Sequence, residues 1–152
     1  MSIGLWVRGA RPKTLATSIA SVMVGAAMAY VHIEQSGTCI AIYPEPASCA
    51  TAREQQTLLM DRFWPVTILC LLVALFLQIA VNYANDYSDG IRGTDAGRDT
   101  DESKSGKPQR LTASGLVPAK HVLFAAMICA AIACICGCLL YTSPSPRDRQ
   151  KS

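Results

Sequence analysis

Three long stretches of this chain contain no Asp, Glu, Lys or Arg: Thr14 to Ile33, Phe63 to Val81 and Val122 to Tyr141. Each approaches or exceeds the roughly 18 to 20 apolar residues that cross the hydrocarbon of a bilayer. An ionised side chain at mid-membrane costs about 3 kcal/mol on insertion scales, so its absence from three whole runs points to membrane spans. A soluble domain of 152 residues breaks its apolar runs at strand or helix length, whereas this chain is 51% hydrophobic with a mean hydropathy of +0.26. The first run exceeds the h-region of a signal peptide, and two more spans follow it. The expected fold class is all-α, a polytopic transmembrane helical bundle in membrane lipid.

Lys and Arg set the expected orientation. The leading segment carries Arg8, Arg11 and Lys13 and no acid. The segment 34–62 has Arg53 and Arg62 against Glu34, Glu45, Glu54 and Asp61. The segment 82–121 holds Arg92, Arg98, Lys104, Lys107, Arg110 and Lys120. The positive-inside rule then puts the N-terminus and 82–121 in the cytoplasm and makes 34–62 an outer loop, which fits the cell (inner) membrane of a bacterium. Pro12 and Pro65 fall near the starts of the first two spans, where a missing N–H does no harm. Cys39 and Cys49 share the outer loop and are candidates for a disulfide. Cys70, Cys129, Cys134, Cys136 and Cys138 lie in spans, where small residues fill helix seams. The tail, 142–152, puts Arg147, Arg149 and Lys151 on the outer side, against the charge rule. It reads as non-native sequence, with 1–141 the front part of a longer membrane protein.

The stretch "VNYANDYSDGIRGTD" follows the second span directly. If the helix runs on through Asp89, then Asn82, Asn85, Asp86 and Asp89 fall at i, i+3, i+4 and i+7 and share one face. Like charges so close repel, and carboxylates sit badly at the negative end of a helix dipole. A bound cation offsets both penalties. The available ligands are oxygens, which suits a hard ion such as Mg²⁺, and Mg²⁺ completes its octahedron with water and substrate phosphates. The loop beyond supplies Arg92, Arg98, Lys104, Lys107 and Arg110 for a diphosphate. A merely solvated cytoplasmic loop is the alternative reading of these charges, and spacing alone does not separate the two.

The motif "NDYSDGIRGTD" resembles the first aspartate-rich motif of the UbiA superfamily of membrane prenyltransferases. "RGARPKTLATSIASVMVGAAMAY", "LQIAVNYANDYSDGIRGTD" and "KPQRLTASGLVPAKHV" are similar, in order, to the first helix, the second helix with its motif, and the approach to the third helix in its menaquinone-forming branch. That branch transfers a polyprenyl group to 1,4-dihydroxy-2-naphthoate with loss of CO₂. The resemblance implies a bundle of about nine spans, three of them here. It implies Mg²⁺ held by Asn85, Asp86, Asp89 and Asp95, with Asp86 and Asp89 catalytic. Arg110, Lys104 and Lys107 match the diphosphate-binding positions, and Arg11 and Lys13 are candidates for an aromatic acid's carboxylate. Gly93 stands where many members have a further aspartate, and the displaced Asp95 resembles the menaquinone branch. The implied partners are a polyprenyl diphosphate, an aromatic acid and membrane lipid, with no nucleic acid. A different acceptor such as 4-hydroxybenzoate, or a small three-span protein with an ion- or partner-binding acidic loop, are the competing readings.

Overall fold

The computed structural model describes residues 3–37, 46–92, 111–112 and 117–142. Among these there are four helices and no strand: α1 Ile3–Gly9, α2 Pro12–Ser36, α3 Pro46–Arg92 and α4 Ala119–Thr142. Three of them are long and apolar enough to cross a membrane, and the chain is an integral membrane protein. The expected spans all appear, lengthened at their ends. Pro12 is the first residue of α2, where its fixed φ suits a helix start.

Two expectations about the second span need correction. The stretch 46–62 is not loop, because α3 is one helix of 47 residues from Pro46 to Arg92. At 1.5 Å per residue it is about 70 Å long, more than twice the hydrocarbon thickness. Its leading turns, which carry Arg53, Glu54, Gln55, Gln56, Asp61 and Arg62, therefore stand outside the membrane. Pro65 is likewise not a helix start; it lies inside α3. It removes the bond that its N–H would have made to Asp61, on an exposed part of the helix.

α2 and α4 both pack along α3. α2 runs antiparallel to it. Near the C-terminus of α2, Gln56 Nε2 donates to Glu34 O at 3.2 Å, satisfying a carbonyl that the helix end leaves open. Gly37 sits so close to Gln56 that a Cβ there would collide with its side-chain amide. Tyr30 meets Phe63 edge to face at 5.5 Å, and Phe63 meets Trp64 at 5.4 Å. A second aromatic pair, Trp6 and Tyr83, lies 5.7 Å apart at the other end. Phe63 and Tyr83 are separated by about 30 Å of helix, the thickness of the hydrocarbon layer. Tyr and Trp favour both membrane interfaces, so the two aromatic clusters mark its borders. Asn82 to Asp89 then begins at one border and runs out of it.

The core lies at that border. Tyr83 on α3 packs with Ala10, Leu111, Val117, Val122 and Ala126, and with Leu5, Trp6, Ile79, Tyr87, Ala125 and Cys129 around them. Leu111, Val117 and Val122 are fully buried, each contributing about 2 kcal/mol. Further along, α4 also buries Ala133 and Cys136, whereas α2 buries no residue and its Met23, Val24 and Met28 are exposed. The buried apolar cluster thus surrounds the end of α3 that carries the acidic motif. Cys49 is disulfide-bonded, and its expected partner Cys39 lies outside the described residues. The five cysteines of the spans are free thiols.

Candidate functional site

The last three turns of α3 divide their polar residues between two stripes. Asn82 is 4% exposed and Asp86 3%. Asn85 is exposed and Asp89 half-buried. The single polar face expected from spacing is therefore split. The four positions spread over an arc of about 100°, and α1 with Leu111 covers only its Asn82–Asp86 edge.

Asn82 uses its whole amide. Its Nδ2 donates to Ala10 O at 2.7 Å and to Thr14 Oγ1 at 2.9 Å. Because a backbone carbonyl only accepts, this fixes which end of the amide faces α1. Its Oδ1 accepts from Gln78 Nε2 at 3.4 Å. Thr14 Oγ1 in turn donates to Arg11 O at 2.9 Å. From the next residue of α3, the Tyr83 hydroxyl donates to Trp6 O at 3.0 Å. These bonds pin the lead helix and its junction with α2 onto the motif helix. The junction needs pinning. Arg11 has φ 53° and ψ 74°, a left-handed conformation, and no side chain caps α2 there. For a residue with a Cβ this costs about 1–2 kcal/mol. Gly9 permits the close approach, since a Cβ on it would run into Leu111 and meet Tyr83 at 3.3 Å.

Asp86 Oδ2 accepts the backbone N–H of Leu111 at 2.8 Å, in a buried setting. Beside it, Gly90 lies so close to Thr112 that a Cβ would collide with the threonine side chain. The returning chain at 111–112 is thus seated directly on the last turns of α3. Arg11 is half-buried and Lys13 exposed. Asp95, Lys104, Lys107 and Arg110 lie outside the described residues.

Could this end hold a metal? Among the described residues no three His, Cys, Asp or Glu side chains gather into a cage. Of Asn82, Asn85, Asp86 and Asp89, solvent reaches Asn85 and Asp89, one turn apart on the same stripe and both offering oxygen ligands. That donor set fits Mg²⁺, which is usually held by one or two carboxylates and finished by phosphate and water. It does not fit zinc or copper, which favour nitrogen and sulfur.

The roles of Thr14, Gln78 and the Leu111 amide emerge only from the fold. A polar residue inside a span is itself a signal, and Gln78 and Asn82 carry it. The partners of such a residue are beyond the reach of local spacing, because they lie up to 72 residues away.

The chain is similar to 1,4-dihydroxy-2-naphthoate octaprenyltransferases. It is 36% identical over 146 residues to that of Mycobacterium tuberculosis, covering 95% of this chain and 38% of the relative. It is 33% identical over 145 residues to that of Mycobacterium leprae, again covering 95% of this chain and 38% of the relative. With that of Haemophilus influenzae the identity is 30% over 118 residues, 78% of this chain and 28% of the relative. The chain therefore spans less than two fifths of the length of these curated relatives. No family model matches it, and no solved structure matches it.

Proposed function

We propose that this chain, a homologue of the 1,4-dihydroxy-2-naphthoate octaprenyltransferases, forms the diphosphate-binding end of a membrane prenyltransferase of menaquinone biosynthesis. The observation that carries the reading is the solvent-reaching Asn85–Asp89 pair at the membrane border, beside the buried apolar cluster. The acidic end faces the cytoplasm of the cell (inner) membrane in this reading, as the Lys and Arg distribution requires.

Asn85 and Asp89 would hold Mg²⁺, with Asp95 as a further candidate of the motif. When bound, the ion supplies a Lewis acid for the charge that grows on a departing diphosphate. Arg110, Lys104 and Lys107 would donate charge-assisted hydrogen bonds to the same phosphate oxygens. The allylic C–O bond breaks, and its electron pair leaves with the diphosphate. An electron-rich ring carbon of the naphthoate attacks the allylic carbon, and the carboxylate departs as CO₂. Arg11 and Lys13 would meet that carboxylate before it leaves, with the backbone of Arg11 set by the Asn82 network. The polyprenyl tail stays among the apolar side chains of the spans, so the reacting carbon reaches the border while the tail avoids water.

The test uses the protein extended to its relatives' length and placed in a bilayer. Octaprenyl diphosphate is offered with either 1,4-dihydroxy-2-naphthoate or 4-hydroxybenzoate. Prenylated product and CO₂ should form with the naphthoate, and turnover of the benzoate should be at least about 100-fold slower. Preference for the benzoate would move the protein to another acceptor. No transfer to either would leave the small membrane protein with an acidic ion- or partner-binding loop.

A further inference from the structure

Asp86 joins the end of α3 to the chain that returns toward α4. Its carboxylate is 3% exposed, and its Oδ2 accepts the Leu111 N–H at 2.8 Å. That N–H belongs to the peptide joining Leu111 to Arg110, the arginine matched to diphosphate binding. Leu111 is itself fully buried against Ala10, Tyr83, Val117 and Val122. A hydrogen bond from a backbone amide to a buried carboxylate is strong and directional, and removing the acceptor takes that bond from the buried N–H. Asn85 and Asp89, on the neighbouring stripe, are within reach of a ligand from solvent.

We propose that Asp86 is a positioning residue, not a metal ligand: through the Leu111 amide it seats the returning chain on the motif helix. The proposal deepens the prenyltransferase reading and rests on it only for the consequence in catalysis. Two adjacent residues of one motif then have separate duties. Asn85 and Asp89 address the ion, while Asp86 addresses the backbone of the protein. The acceptor role needs an oxygen at this place, which an amide also supplies. The ligand role needs the charge.

That difference makes the two roles separable by experiment. The first arm is hydrogen exchange at the Leu111 amide, in this chain in lipid nanodiscs, and needs no activity. Asp86→Ala should speed exchange there by about tenfold or more, whereas Asp86→Asn should stay within about threefold of the wild type. The second arm is prenyl transfer by the protein extended to its relatives' length. Asp86→Asn should keep at least about a third of the wild-type rate, and Asp86→Ala should lose about tenfold. Unchanged Leu111 exchange in Asp86→Ala overturns the proposal, because the bond would then not exist in the membrane. So does an Asp86→Asn protein that protects Leu111 yet is as inactive as Asp89→Asn, because the charge would then be what matters. If the wild type transfers no prenyl group, the prenyltransferase reading fails, and the exchange arm alone decides whether Asp86 seats the chain.

Discussion

On the prenyltransferase reading, Asp89→Asn in the protein extended to its relatives' length should abolish prenyl transfer, by about 100-fold or more, without weakening the fold. Asp89 sits half-buried in the last turn of α3, three residues before Arg92. Carboxylates are unfavourable at a helix C-terminus by about 0.3–1 kcal/mol, since the dipole there is already negative. Neutralising Asp89 at constant size removes that penalty. The melting temperature in detergent should therefore hold steady or rise slightly while activity disappears. Membrane insertion should be unchanged, because the spans keep their composition. Opposite movement of stability and rate is the signature of a residue retained for function. A large fall in melting temperature with the loss of activity would instead make Asp89 a structural residue.

Asn82→Leu should have the largest effect on the fold. Leucine is close to asparagine in size and more favourable in hydrocarbon, so transfer alone predicts stabilisation. The site predicts the reverse. The substitution leaves Ala10 O without its 2.7 Å donor and Thr14 Oγ1 without its 2.9 Å donor. Abandoning the buried Ala10 carbonyl costs about 1–3 kcal/mol and the half-buried Thr14 hydroxyl less, and the left-handed Arg11 loses the network that holds it. The expected loss is about 3 kcal/mol. Its location is as telling as its size. The peptide bond after Arg8 should become accessible to trypsin as α1 lifts from α3, while cleavage near Arg53 stays as in the wild type. Asn82→Asp should be nearly as harmful, since an ionised carboxylate would face Ala10 O with no proton to give. An Asn82→Leu protein with unaltered stability and cleavage would mean that α1 is held by Trp6, Tyr83 and Leu111 packing alone.

The spans are legible in the sequence because the signal for them is local and strong. About twenty consecutive residues without a charge match the length of a lipid-crossing helix, and all three runs are helices in the structure. Hydropathy alone makes 46–62 a loop, and here it misleads. The Ala, Glu, Gln, Leu and Met content of that stretch is that of a good helix former, and propensity carries α3 through it and past Pro65. Continuation of the second span through Asp89 is also legible, since nothing between Phe63 and Ser88 breaks a helix except Pro65. The inward turn of Asp86 and the outward turn of Asn85 are not. Periodicity places all four polar residues within one broad arc, and which edge is buried depends on α1 and Leu111, far away in the chain. The left-handed Arg11 is hidden for the same reason, although a residue before proline is already steered away from the right-handed helical region.

One measurement bears most directly on the claim that the acidic end of α3 serves a diphosphate through a hard cation. It is prenyl transfer by the protein at its relatives' length, first in excess EDTA and then with Mg²⁺ restored. Turnover should fall to about 1% or less in the chelator and return with Mg²⁺. Zn²⁺ should fail to restore it, because the donors that Asn85 and Asp89 offer a hard cation are oxygens. Undiminished turnover in EDTA would contradict the account.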